Sequence, residues 1–159
     1  MWHIDSYDKL KPYGIAINGC IDGFSRYIIW MHANYTASDP KVVGGYFMNA
    51  VSDLGGCPKT VRGDRGTENR YVEQFQCFFD ELNENEDNDQ IRFMYGRSTA
   101  NQRLESWWSI FRKQLMEFWI SLFHQLAGSG HFNGEKIEKE LIRFYFLDLI
   151  QVRFVTILF

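Results

Sequence analysis

The sequence predicts an α/β fold in which a five-stranded mixed sheet is flanked by helices and followed by a C-terminal helical extension. Three β-type runs follow one another between residues 2 and 35, which is typical of an antiparallel meander. Two later β-type runs, at 59–62 and 91–95, each follow an amphipathic helical pattern. Because a helix between two strands permits a parallel crossover, the sheet should contain both parallel and antiparallel pairs.

The first three strands are predicted at residues 2–7, 15–21 and 27–35. A Lys-Pro-Tyr-Gly turn separates the first strand from the second. The Asp-Gly-Phe-Ser sequence at 22–25 is predicted to form the hairpin between the second and third strands.

The first helix is predicted to begin at Asp39 and Pro40. Aspartate can cap the first turn of a helix, and the fixed φ of proline suits the first helical position. Apolar residues then recur at helical spacing as far as Leu54, where two glycines end the pattern. The fourth strand follows at 59–62.

The second helix is predicted from Thr67, as its cap, to Leu82. A polar loop at 83–90 separates this helix from the fifth strand at 91–95. The order along the chain is therefore three strands, helix, strand, helix, strand, followed by a long helix.

The long helix is predicted to be capped by Thr99. Its apolar face comprises Leu104, Trp108, Phe111, Leu115, Phe118, Trp119 and Leu122. Residues 128–134 interrupt the pattern, and a last helix is expected from about residue 135 to near the end. We therefore expect a core at 1–127 and a helical extension at 128–159 packed on it.

The composition describes a folded chain with an uneven distribution of charge. Of 159 residues 45% are hydrophobic, and the net charge of −3 argues against a protein that binds nucleic acid over its whole surface. Residues 92–113 nevertheless carry five basic side chains against one acid, whereas 80–89 carry six acids and no base. This pattern fits a local DNA-binding face and, equally well, an unevenly charged solvated surface.

The cysteines and the apolar tail favour an intracellular protein outside the membrane. Three widely spaced cysteines show no metal-ligand spacing, and their odd number favours a reducing compartment. No signal peptide is expected. The tail at 141–159 contains charged residues and is expected to be a buried helix rather than a membrane span.

The stretch 59–69 carries the first candidate functional residue, Asp64. This acid directly follows the fourth predicted strand and lies between Gly63 and Gly66. Glycines allow the backbone to approach a phosphate or a metal closely, and a carboxylate is a suitable oxygen ligand. The alternative is an ordinary turn aspartate.

Two further acids complete a possible set with Asp64. Asp5 lies on the first predicted strand, and Glu105 lies near the start of the long helix. The three stand in the order Asp, Asp, Glu, with 58 and then 40 residues between them. Only the tertiary fold could bring such distant residues together.

Four stretches in this order resemble one protein family. They are Trp-x-x-Asp at 2–5, Ile-Asp-Gly-Phe-Ser-Arg at 21–26, Arg-Gly-Asp-Arg-Gly-Thr-Glu-Asn at 62–69, and Asn-x-Arg-x-Glu at 101–105. The chain resembles the catalytic core of the retroviral-type integrase and DDE transposase superfamily, and it is most similar to the integrase cores of eukaryotic transposable elements. The resemblance covers residues 2–119.

The resemblance implies a ribonuclease H-like fold, which the predicted order of elements also matches. It further implies polynucleotidyl transfer to DNA with two Mg²⁺ or Mn²⁺ ions, Asp5 bridging both ions while Asp64 and Glu105 each bind one. Two such ions can activate the attacking oxygen and stabilise the leaving oxygen. Integrase-like cores usually act as multimers, so the resemblance implies a homo-oligomer. An intracellular, nuclear location is also expected.

Several of the candidate acids have alternatives. Asp8 competes with Asp5, and Asp5 is favoured because the Trp-x-x-Asp pattern matches the family. Asp22 could be a ligand, but its Asp-Gly-Phe-Ser context favours a turn acid more strongly. Glu68 and Glu73 are expected to be first-turn, solvent-facing helix acids.

Polar residues around the start of the long helix are predicted to contact DNA phosphates or base edges. These residues are Arg97, Ser98, Asn101, Gln102 and Arg103. Solvated side chains are the alternative. Trp107 and Trp108 could stack on bases. Core packing is favoured for Trp108, whereas the sequence does not distinguish stacking from packing for Trp107.

The sequence is compatible with three functions. The first is a DNA integrase core that processes DNA ends and joins them to target DNA. The second is a domesticated or truncated relative that binds DNA or a protein without catalysis, since the usual flanking DNA-binding segments are not visible and the net charge is acidic. The third is a nuclease of the same fold that uses only water as nucleophile.

Overall fold

The computed structural model describes residues 1–82, 92–96 and 102–158, with the backbone alone at 102–105 and 158. Its sheet has five strands: β1 (Trp2–Tyr7), β2 (Ala16–Asp22), β3 (Ile28–Asn34), β4 (Val61–Gly63) and β5 (Phe93–Tyr95). The strand order is β3-β2-β1-β4-β5. β1 and β2 are antiparallel, as are β2 and β3, whereas β1–β4 and β4–β5 are parallel. The predicted mixed, ribonuclease H-like sheet is therefore confirmed.

Five α-helices flank this sheet within the described part of the chain: α1 (Pro40–Leu54), α2 (Arg70–Leu82), α3 (Gln102–Phe111), α4 (Glu117–Gly128) and α5 (Lys136–Leu158). A π-helical segment, Arg112–Met116, joins α3 to α4, so that one uninterrupted helix runs from residue 102 to 128. The predicted long helix is thus present, although its predicted cap, Thr99, lies outside the described residues. The same is true of the loop at 83–90.

Two of the predicted helix N-caps lie in the described residues; one is confirmed and the other is wrong. The Asp39 side chain accepts a hydrogen bond from the Lys41 amide at 2.9 Å, and Pro40 begins α1 as predicted. Thr67 instead begins a 3₁₀ turn, Thr67–Asn69, that is preceded by Gly66 and has no side-chain cap; α2 starts only at Arg70.

The sheet separates two hydrophobic cores because neighbouring residues of a strand point to opposite faces. Trp2 and Ile4 of β1 belong to the core beneath α1 and α2, whereas Tyr7 belongs to the core beneath α3, α4 and α5. By this alternation Asp5 shares the face of Tyr7. The first candidate acid therefore lies on the side of the sheet that the long helix covers.

Helix α5 packs against the outer strand β3. The Gln151 side-chain amide donates to the carbonyl of Met31 at 3.0 Å and accepts from the amide of Ala33 at 2.8 Å. Ile150 and Phe154 of α5 are fully buried beneath it. The helix thereby satisfies backbone groups of an edge strand that would otherwise be open to pairing. No helix in the described part of the chain is long and apolar enough to cross a membrane.

Replacing either of two neighbouring glycines in α1 with alanine should change the free energy of unfolding, in opposite directions. A Cβ at Gly44 would lie 2.9 Å from Cβ of Tyr71 in α2, whereas a Cβ at Gly45 would meet no atom within 4 Å. We expect Gly44→Ala to lower the free energy of unfolding by roughly 1 kcal/mol or more, because overpacking outweighs the gain in helix propensity. Gly45→Ala should raise it by up to about 1 kcal/mol. Urea unfolding of both variants measures the difference, and equal effects would contradict close α1–α2 packing.

Candidate active site

Asp5 is half-buried on β1, and a donor is aimed at each of its carboxylate oxygens. The amide of Ser6 donates to Oδ1 at 2.8 Å. The indole Nε1 of Trp108, in α3, donates to Oδ2 at 3.1 Å. The strand and the long helix are therefore joined at the first candidate acid.

Asp64 directly follows β4, the strand that lies next to β1 in the sheet. Parallel pairing matches Arg62 with His3, and the two acids Asp64 and Asp5 each lie two residues further along their chains. Continued past the end of β4, this register places the two acids at adjacent positions of neighbouring segments, although 58 residues separate them in sequence. This juxtaposition is the central feature of the candidate site.

The turn after β4 holds the Asp64 carboxylate in place. Its Oδ1 accepts hydrogen bonds from the amide of Gly66 at 3.2 Å and from Nδ2 of Asn69 at 3.1 Å. Asn69 is itself buried in the 3₁₀ turn. The glycine-containing stretch thus supports the acid through these hydrogen bonds.

Glu68 is half-buried beside Asp64, so the prediction that it faces solvent is wrong. Its side chain folds back over Gly66, where an added Cβ would clash with the carboxylate of Glu68. The pKa of Glu68 is raised, first by burial and then by the charge of Asp64, a hydrogen bond to the Asp64 side chain and the charge of Asp5. The missing side chain at Gly66, two residues before Glu68, is the sequence signal that could have indicated this fold-back.

The other acids considered as possible ligands lie outside the surroundings of Asp5 and Asp64. Oδ2 of Asp22 accepts hydrogen bonds from the amide of Ser25 at 2.7 Å and from its hydroxyl at 2.8 Å, and these bonds lower the pKa of Asp22. The turn interpretation of Asp22 is thus confirmed. Asp8 is exposed, lies beyond the end of β1 and forms an ion pair with Lys11 at 3.1 Å. Glu73 is half-buried and accepts a hydrogen bond from the Tyr95 hydroxyl at 2.5 Å.

The third predicted acid, Glu105, can be located by its backbone alone. It lies in α3, one helical turn before Trp108. Gln102 and Arg103 are in the first turn of the same helix, again with only the backbone described, while Arg97, Ser98 and Asn101 lie outside the described residues. The DNA-contacting roles of these five residues therefore stay predictions.

The donor set at Asp5 and Asp64 fits a hard divalent cation. Both acids offer carboxylate oxygens, which Mg²⁺ and Mn²⁺ prefer, and a few carboxylates suffice because Mg²⁺ keeps several of its waters. Among the side chains that the structure describes, no group of three His, Cys, Asp or Glu residues is arranged to hold a metal ion.

Trp108 is a residue of the site whose contact the sequence analysis missed. Its predicted core packing is confirmed, since the side chain is only 8% exposed and packs against Tyr7 and Phe111. Its hydrogen bond to Asp5 spans 103 residues and has no local signal in the sequence. Trp107 is half-buried and stacks on Phe111 with ring centroids 5.0 Å apart.

The strand order and the flanking helices are those of the ribonuclease H-like class of proteins. A family model described as integrase core domain matches residues 1–156. The chain belongs to the integrase core domain family, and the match extends well beyond residue 119, where the predicted resemblance ended. A search of curated proteins found no match. Family membership supports a DNA integrase or transposase function and binding to DNA.

Proposed function

We propose that the chain is the catalytic core of a DNA integrase or transposase that processes DNA ends and joins them to target DNA. The observation that carries this proposal is the juxtaposition of Asp5 and Asp64 at neighbouring parallel strands. Glu105 is proposed as the third acid, supplied by α3. The eukaryotic transposable-element origin, nuclear location and homo-oligomeric state are parts of the same proposal, as is the division into a core at 1–127 and an extension at 128–159.

Asp5, Asp64 and Glu105 would hold two Mg²⁺ or Mn²⁺ ions. When bound, such ions increase the acidity of the attacking water or 3′-hydroxyl and stabilise the leaving oxygen. Ser6 and Trp108 orient the carboxylate of Asp5, while Gly66 and Asn69 orient that of Asp64. These four residues would keep the two acids in place through the reaction.

The DNA would approach the site along the start of α3. Arg97, Ser98, Asn101, Gln102 and Arg103 are proposed to contact its phosphates or base edges. Most protein–DNA hydrogen bonds go to phosphates and sugars, and these bonds set the register of the bound duplex. The positive end of a helix also favours a phosphate.

The proposal predicts products that depend on metal and include joined strands. We expect a labelled DNA end to be nicked and joined to target DNA only when Mg²⁺ or Mn²⁺ is added. Glu105→Gln should lose these products and retain DNA binding, because the substitution removes a charge and keeps the size of the side chain. Gel analysis of products and binding by fluorescence anisotropy measure the two effects.

Four other outcomes would contradict the proposal. Nicking without joining would indicate a nuclease that uses only water. Binding of DNA by the parent protein with no product at any metal concentration would favour the non-catalytic relative, as would a lack of metal binding in calorimetry. Activity retained in Glu105→Gln would remove Glu105 from the proposed site.

A further inference from the structure

We infer that Trp108 is a positioning residue that holds the Asp5 carboxylate in its metal-binding orientation and links β1 to the helix that carries Glu105. The inference rests on the proposed function for the role of Asp5. Its structural basis is the hydrogen bond from the indole Nε1 to Oδ2 of Asp5, 3.1 Å long.

This bond completes the orientation of the carboxylate. The Ser6 amide is fixed by the strand and donates to Oδ1 at 2.8 Å, and Trp108 supplies a donor to the other oxygen. With a donor on each oxygen, rotation of the carboxylate would break at least one hydrogen bond. The bound orientation is therefore prepared before any cation arrives, which reduces the cost of ordering the ligand on binding.

The indole is itself held rigidly. It is 8% exposed and packs against Tyr7, with ring centroids 5.3 Å apart, and against Phe111, at 5.4 Å. Gly19, which pairs with Asp5 in the sheet, provides the space: a Cβ there would lie 3.1 Å from Cη2 of Trp108. A side chain at this position of β2 would crowd the indole and also Met31, whose Cε would lie 2.6 Å from the added Cβ.

The chemistry of the donor suits an acid that must bind a cation. An indole N–H can only donate and carries no net charge. It therefore orients Asp5 without adding a positive charge. A lysine or arginine in its place would compete with the metal ion for the carboxylate. A neutral donor leaves the full negative charge of Asp5 available to the metal.

The bond also sets a distance between elements. Glu105 precedes Trp108 by three residues, about one turn of α3. The bond between Trp108 and Asp5 therefore holds the turn of α3 that carries Glu105 against β1, the strand that carries Asp5. Trp108 would thus affect the spacing of the acids without touching the substrate.

The test uses Trp108→Phe, which keeps an aromatic ring and removes the N–H. The matched control is Trp119→Phe in α4: Trp119 is similarly buried, at 6% exposure, but its Nε1 has no hydrogen-bond partner in the described part of the chain. We expect Trp108→Phe to weaken Mn²⁺ binding about tenfold or more in calorimetry, the range found when residues that orient metal ligands are replaced. Trp119→Phe should bind Mn²⁺ as the parent does.

A second measurement does not depend on the stability of Trp108→Phe. Each of the five tryptophans has an indole N–H that ¹H–¹⁵N NMR can observe. In the metal-free protein the Trp108 signal should move on Asp5→Asn, and in the parent it should move on addition of Mg²⁺. The Trp119 signal should stay in place in both experiments.

The outcomes separate this inference from the proposed function. Unchanged Mn²⁺ affinity in folded Trp108→Phe, or a Trp108 signal that ignores both Asp5→Asn and Mg²⁺, overturns the positioning role even if the parent joins DNA. Metal binding that depends on Trp108 in a parent that yields no DNA product supports the positioning role and overturns catalysis. A parent that binds no metal overturns both.

Discussion

Replacing Asp64 with Asn should reduce metal-dependent nicking and joining of DNA by roughly a thousandfold. A bound cation stabilises transition-state charge by several kcal/mol, and each 1.36 kcal/mol corresponds to about tenfold in rate. Asparagine retains an oxygen that can accept the hydrogen bonds from Gly66 and Asn69, so the turn should keep its shape. The loss should therefore reflect the missing charge rather than a change of fold.

The control for Asp64→Asn is Asp148→Asn. Asp148 is exposed on α5, and the same chemical change there should leave the products unchanged. Rates are measured on a labelled DNA end with saturating Mn²⁺, and near-UV circular dichroism checks the fold of each variant. If Asp64→Asn were as active as the parent, Asp64 would be the turn aspartate that the sequence left open.

Replacing Phe47 with Ala should cause the largest loss of stability among our predictions. Phe47 is fully buried in the core beneath α1 and α2, with its ring centroid 5.9 Å from that of Trp2. Truncating a buried phenylalanine to alanine costs roughly 3–5 kcal/mol, since transfer energy is lost and a cavity remains. Domains of this kind are stable by only about 5–15 kcal/mol, so a large share of the total would disappear. Because Trp2 begins the strand that carries Asp5, metal affinity should fall as well.

Phe144→Ala provides the comparison for Phe47→Ala. Phe144 lies on α5 with 79% of its surface exposed, and its truncation should change the free energy of unfolding by no more than about 0.5 kcal/mol. Urea unfolding followed by circular dichroism measures both variants. Similar losses for the two phenylalanines would contradict the placement of Phe47 in the core.

Local signals in the sequence were sufficient where neighbouring residues decide the structure. Asp39 and Pro40 predicted the start of α1, because a cap is a contact between residues close in the chain. Asp22 was correctly favoured as a turn acid for the same reason: its partners are only two and three residues away. Thr67 shows the limit of such signals. It is a residue type suited to a cap, yet a 3₁₀ turn stands there and α2 begins later.

The candidate site depended on contacts that no local pattern contains. Its place near a helix start predicts that Glu68 faces solvent, but its carboxyl is half-buried, and burial together with the charges of Asp64 and Asp5 raises its pKa. The bond between Trp108 and Asp5 connects residues 103 positions apart. Apolar periodicity predicted that Trp108 would be buried, but periodicity carries no information about which polar atom the indole meets.

The class of fold, the family resemblance and the identity of the candidate acids can all be deduced from the sequence alone. Strand and helix periods, caps and turn residues act over a few positions, so they can be deduced from the chain in order. The neighbouring positions of Asp5 and Asp64 depend on tertiary structure, because they follow from the parallel register of β1 with β4. The same is true of the contact between Glu68 and Asp64 and of the hydrogen bond from Trp108 to Asp5. Such contacts arise only when distant segments pack against one another, and their energies depend on the burial and distances that packing creates.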